Sequence, residues 1–229
     1  MNSKQIDNIE NIINYKFKDK QLLSQTFTHS SYIYENEMHS LSDNERLEFL
    51  GDAVLQIVIS RYLYDTYKSL DEGELTKLRA SIVCEPSLAI ICRNLNLGNF
   101  IAFGKGEEKT DGKNKDSNLA DLYEAIIGAI YLDGSIEESK KFIDVTLIPY
   151  IDKIKQDVRN KDYKTELQEL LQKTSKNFAK YVIIEQSGPD HDKTFTVEVL
   201  HGEKVLGKGI GKSKKDAEQN AAKVALENM

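Results

Sequence analysis

The 229-residue chain has no tryptophan, only three prolines and only two cysteines. Proline is the residue that most strongly interrupts helices, so its scarcity leaves room for long ones. Cys84 and Cys92 are too few for a disulfide framework, and the four histidines, His29, His39, His191 and His201, lack the close pairing of zinc ligands. No apolar run approaches the roughly 20 residues that a membrane span needs. The opening Met1-Asn2-Ser3-Lys4-Gln5 also lacks the charged-then-apolar order of a secretory signal. A reduced, cytoplasmic setting with no membrane partner is the expectation.

What is present reads as globular. Hydrophobic residues make up 40% and charged residues 30%, and the length suits one large or two modest domains, either able to bury a core. The net charge of −6 at first argues against a polyanionic partner. Its distribution reverses that inference. After residue 161 there are eleven Lys/Arg and eleven Asp/Glu, which leaves 20 basic and 26 acidic residues before it. Inside the balanced tail, Lys204, Lys208, Lys212, Lys214 and Lys215 follow one another with no acid between them, a local basic stripe suited to phosphate.

The hydrophobic period divides the chain in the same place. Ile6, Ile9, Ile12 and Ile13 recur at helical spacing, as do Leu75, Leu78 and Ile82, and Leu119, Leu122, Ile126 and Ile130. Glu85-Pro86-Ser87 marks a helix start with proline in the first turn, and Ser135 with Glu138 offers a capping box. The polar stretch after Ile154 ends this pattern. Beyond it Leu167, Leu170 and Leu171 suit a short helix, and Tyr181 to Ile184 is β-rich. Phe195, Val197 and Val199 alternate with polar residues, His201-Gly202 signals a turn, and Lys204 to Leu206 begins a third strand. Ser213 and Asp216 then open a final helix. The expected architecture is an all-helical domain over residues 1–157, a linker at 158–161, and a small α-β-β-β-α domain over 162–229.

Two helices carry the chemistry. In the first, Glu45, Glu48 and Asp52 fall within roughly 60° of one another at about 100° per residue, while Leu47, Leu50, Val54 and Ile57 take other faces. In the second, Asp121 and Glu124 share a face with Gly128, bordered by Ala125. Two carboxylates about 4 Å apart repel by roughly 4 kcal/mol at an effective dielectric near 20, and apolar surroundings add to that. A hard divalent cation removes both costs, and magnesium, with manganese as substitute, suits an oxygen-only ligand set. The same spacing also serves a solvated helix face or partners for Lys/Arg. Gly51, costly by about 1 kcal/mol inside a helix, marks either close packing of a neighbouring helix or a neutral relic.

Glu45-Arg46-Leu47-Glu48-Phe49-Leu50-Gly51-Asp52-Ala53 resembles the signature of the ribonuclease III family. Agreement extends to Thr28-His29-Ser30-Ser31-Tyr32, to Leu75-Thr76-Lys77-Leu78-Arg79-Ala80, and to Leu119-Ala120-Asp121 with Glu124-Ala125-Ile126-Ile127-Gly128-Ala129. In the tail, Thr165-Glu166-Leu167-Gln168-Glu169, Gly188-Pro189-Asp190-His191 with Phe195, and Gly211-Lys212-Ser213-Lys214-Lys215 running on to Gln219 resemble the family's double-stranded-RNA-binding domain. The departures are local: Asn118 stands where an apolar residue is common, and Leu122-Tyr123 fills variable positions.

The resemblance implies an endonuclease acting as a homodimer through its catalytic domain, with Glu48, Asp52, Asp121 and Glu124 as metal-binding catalytic acids and Glu45 in support. It implies cleavage of double-stranded RNA, such as ribosomal precursors, to 5′-phosphate and 3′-hydroxyl ends. It also implies that Thr165, Gln168 and Glu169 meet one minor groove, the loop of Pro189 and His191 the next, and Lys212, Lys214 and Lys215 the phosphates between. A non-cleaving RNA-binding regulator is the reading from another class, and the intact acid quartet speaks against it. The dimer rests on the resemblance, since the apolar run Ala53 to Ile59 suits a monomer core equally well. The lysine-bearing stretch 104–118 is either a mobile element closing on RNA or a variable surface loop. His29 reads as a hydrogen-bonded structural residue rather than a base.

Overall fold

The computed structural model describes residues 1–37, 41–154, 163–174, 178–189 and 193–229. The chain divides into two compact units, Met1–Lys155 and Gln156–Met229. The expected linker 158–161 lies outside the described residues.

The first unit is helical. Its helices are α1 (Ser3–Ile13), α2 (Lys20–Thr26), α3 (Ser30–Glu35), α4 (Glu45–Thr66), α5 (Glu72–Ile82), α6 (Glu85–Asn94), α7 (Lys105–Lys109), α8 (Asp116–Asp133) and α9 (Ile136–Thr146). Side chains at their ends explain several boundaries. Asn2 and Gln5 close a capping box on α1, and Asp71 and Glu74 close another on α5. Proline opens α6 as expected. The capping box expected at Ser135 does not form: Ser135 precedes α9 without a side-chain bond to its backbone.

Helices α4 and α8 form the central pair, and their buried residues, among them Leu55, Ile59, Leu63, Leu119, Leu122, Ile126, Ile127 and Ile130, make the middle of one continuous core. Tyr123 is wholly buried and its hydroxyl meets Thr146 Oγ1 at 2.7 Å. Where α4 and α8 cross, glycine faces glycine. A Cβ on Gly51 would lie 1.8 Å from the carbonyl oxygen of Glu124, and one on Gly128 would lie 2.2 Å from that of Leu47. Of the two sequence readings for Gly51, close packing is therefore the observed one.

The second unit contains α10 (Tyr163–Thr174), then β1 (Lys180–Ser187), β2 (Thr194–His201) and β3 (Lys204–Gly211), then α11 (Lys214–Glu227). The sheet is antiparallel in the order β1-β2-β3. Alternation in β2 puts Phe195, Val197 and Val199 against Leu167 and Leu171 of α10 and the alanines of α11. Gly207, Gly209 and Gly211 let β3 touch the helix directly: a Cβ on Gly209 would lie 2.1 Å from Ala221 N. Gly202 turns the β2–β3 hairpin with φ of +63°. Ser213 caps α11 by accepting from Asp216 N at 3.1 Å. The fold class is thus the one expected, a helical domain followed by an α-β-β-β-α domain.

Candidate metal centre and nucleic-acid interface

The glycine crossing decides where the acids lie. Glu48 and Asp52 flank Gly51 on α4, and Glu124 stands one turn before Gly128 on α8, so backbone contact brings the two pairs to the same place. One carboxylate oxygen from each of Glu48, Asp121 and Glu124 lies within 4.8 Å of the others. Asp52 is outside that trio yet near it, because its charge is the largest one acting on Glu124. Glu45 is exposed, and its charge bears on Glu48 and Asp121.

Glu48, Asp121 and Glu124 resist ionisation together. Burial, followed by the charges of Asp52, Glu48 and Asp121, pushes the Glu124 carboxyl up to about 8. Glu48 is raised by burial and then by Asp121, Glu45 and Asp52. Asp121 is raised by burial and then by Glu85, while His29 pulls it the other way. Among the described residues no lysine or arginine pairs with any of these acids. The reading of a face paired with Lys/Arg is therefore not what the structure contains. Converging, half-buried oxygen donors without a counter-cation fit a hard divalent ion.

The structure adds residues that the motifs do not mark. Glu85, read only as part of a helix start, is near enough for its charge to raise Asp121. Gln56 donates from Nε2 to Asp52 Oδ1 at 3.2 Å. His29 is held as expected of a structural residue: its Nδ1 accepts from Ser31 N at 3.1 Å and meets Ser31 Oγ at 2.8 Å, and its ring lies 5.1 Å from that of Phe103. The 104–118 stretch is built rather than loose. Glu35 accepts from Lys105 N at 2.7 Å and Gly106 N at 3.0 Å. Glu107 takes Lys115 at 2.7 Å and the Asn118 amide at 2.8 Å, and Arg93 takes Asp116 at 2.6 Å. Asn118, buried, also donates to Gly112 O at 2.9 Å, which explains a polar residue where an apolar one is common.

In the second unit the expected RNA-binding residues lie on three elements. Thr165, Gln168 and Glu169 are on α10, with Glu169 exposed and Thr165 half-buried. Gln168 turns inward: its Oε1 accepts from Ala179 N at 2.9 Å, and its Nε2 is buried with no hydrogen-bond partner among the described residues. Pro189 is exposed after Gly188, whose φ is +95°, and His191 lies outside the described residues. Lys212 is exposed just before α11, and Lys214 and Lys215 are exposed in its first turn. The α10–α11 contact is fixed by Lys164, which meets Glu218 at 2.5 Å and lies 4.5 Å from the Tyr181 ring centroid. Burial, then Glu218, pushes the Tyr181 hydroxyl up to about 12.

A helical domain with an oxygen-only acid nest, joined to an α-β-β-β-α unit with a basic helix start, defines a nuclease that carries its own RNA-holding domain. Comparison with known proteins agrees. A family model described as Ribonuclease-III-like matches residues 19–151, and one described as double-stranded RNA binding motif matches residues 163–229. The curated Ribonuclease 3 of Desulforamulus reducens is 49% identical over 225 residues, covering 98% of this chain and 92% of that protein. That of Pelotomaculum thermopropionicum is 48% identical over 218 residues, covering 95% and 90%. A solved nuclease domain of the Campylobacter jejuni enzyme, in a study of the region involved in dimer formation, matches with TM-score 0.58 and 44% identity over 62% of this chain and 95% of that one. The chain belongs to the ribonuclease III family and is an endoribonuclease with a double-stranded-RNA-binding domain.

Proposed function

We propose that the enzyme is magnesium-dependent and cuts double-stranded RNA to 5′-phosphate and 3′-hydroxyl ends, in the cytoplasmic processing of structured transcripts such as ribosomal precursors. The observation that carries this is the trio of oxygens from Glu48, Asp121 and Glu124 within 4.8 Å, with no lysine or arginine among the described residues paired to them. Left alone, that cluster repels a phosphodiester. A divalent cation supplies the missing positive charge at the scissile phosphate and makes a water there more acidic.

Each protein group has a stated task. Glu48, Asp121 and Glu124 would hold the cation, and Asp52 would complete its surroundings, with Glu45 in support. To hold the cation Glu124 would give up its proton to solvent. Water adds to phosphorus as the bond to the 3′ oxygen breaks, so the phosphate stays on the 5′ end and the 3′ oxygen takes up a proton. Thr165, Gln168 and Glu169 would touch one minor groove and the loop of Pro189 and His191 the next, with Lys212, Lys214 and Lys215 on the phosphates between. Gln168 reaches RNA only by leaving Ala179.

Two strands need two sites, which a homodimer of the catalytic unit provides. Support comes from Phe49, Ile57 and Tyr64, which share one face of α4 and are 81%, 58% and 71% exposed. Large apolar side chains exposed in a row on one helix favour burial against a second copy. The test is a long RNA duplex incubated with wild type or Glu124→Gln, in magnesium, calcium or chelator. Cleavage by the wild type in magnesium alone is expected. Glu124→Gln should bind the duplex without cutting it, and appreciable turnover by that variant would remove Glu124 from the site.

A further inference from the structure

We propose that Gln56 is a positioning residue for the metal centre, acting by setting the plane of the Asp52 carboxylate. This rests on the metal-site reading above. Among the described residues, the only hydrogen bond accepted by the side chain of Glu45, Glu48, Asp52, Asp121 or Glu124 is the one from Gln56 Nε2 to Asp52 Oδ1, at 3.2 Å. Gln56 follows Asp52 by one helical turn, and long side chains on a helix lean toward its N-terminus, so the amide is carried back toward the acid.

An aspartate carboxylate otherwise turns freely over a broad range about its last torsion. Tying Oδ1 down along α4 fixes that torsion. Asp52 has no oxygen in the trio within 4.8 Å, yet its charge is the largest acting on Glu124. With Oδ1 held, one oxygen is left for an ion, and the carboxylate has given up rotational freedom before the ion arrives. Groups that orient the residues around a metal in this way commonly change affinity by about ten- to a hundredfold. A Gln–Asp pair serving only the helix would change nothing but helix stability.

Titration of the full chain with manganese, in the absence of RNA, separates the two. Gln56→Met keeps the length and the unbranched shape but has no donor. Gln56→Asn keeps the amide but is one methylene too short to span the turn. Both are expected to bind manganese about tenfold more weakly, with the metal-free melting temperature unchanged for Gln56→Met. Cleavage at saturating metal should return to the wild-type kcat, so that the defect appears in the metal requirement. Wild-type manganese affinity in either variant would overturn the role of Gln56. Glu124→Gln, titrated alongside, tests the nest itself: retained affinity there would overturn the metal site, whereas lost affinity there beside an unaffected Gln56→Met would overturn the positioning role alone.

Discussion

Glu124 shows how strongly one residue feels its neighbours. Its carboxyl lies at about 8 instead of the ordinary 4.5 because burial and three nearby acids oppose its charge. Without a cation it is therefore protonated at neutral pH. The folded state then binds a proton that the unfolded chain releases above pH 4.5, so stability falls as pH rises from about 4.5 to about 8 and levels off beyond. Glu48 and Asp121 are shifted in the same direction and steepen the decline. Thermal melts of the metal-free protein should show this slope, and Glu124→Gln should flatten it. A flat wild-type profile would contradict the crowding of these acids. Metal binding displaces the proton, so affinity should climb with pH up to about 8. Four of these acids were legible in the sequence because spacings of three and four set them on one face of otherwise apolar helices. Glu85 and Gln56 were not, since a single polar residue carries no period, and only the helix packing shows what it faces. The inward turn of Gln168 was equally hidden, because its partner Ala179 lies eleven residues on, beyond the end of α10.

Element by element, backbone contact decides more than side-chain shape. At the α4–α8 crossing a methyl group on Gly51 has no room beside Glu124 O, and the neighbour is backbone that cannot swing aside. Gly51→Ala should push the helices apart, cost about 2–3 kcal/mol, and weaken manganese binding by separating Glu48 from Glu124. A stable variant with full metal affinity would show that the crossing does not set the site. Gly209→Ala should destabilise the second unit in the same way while leaving metal binding intact, since the β3–α11 contact belongs to that unit. Helices and strands of this kind were readable because apolar residues repeat at their own periods. The 104–118 stretch was not, because α7 has five residues and is held by Glu35, some seventy positions earlier. The Ser135 box does not form although spacing permits it: the cap needs the hydroxyl oxygen aimed at the N–H groups of the first turn, an orientation that spacing alone does not set.

Across the whole molecule, charge is divided by task. The first unit gathers Glu48, Asp121 and Glu124 at one place, and its surplus of negative charge opposes close approach of a polyanion unless a cation intervenes. Residues 162–229 are neutral in sum but present Lys212, Lys214 and Lys215 around the start of α11, where the helix dipole would add to their pull on phosphate. Deleting residues 162–229 should therefore weaken duplex binding at physiological salt yet leave cleavage at low salt, because the acids and their supporting helices belong to the other unit. Neutralising Lys214 and Lys215 to glutamine is the finer test. Each phosphate contact releases counterions, and for duplex DNA the logarithm of affinity falls by about 0.9 per contact for each tenfold rise in salt. Applied to RNA, losing both contacts should reduce the slope by roughly two units while leaving kcat at saturating RNA unchanged. An unchanged slope would place the phosphates elsewhere. A reduced slope with lower kcat would mean that α11 also helps align the duplex for cutting.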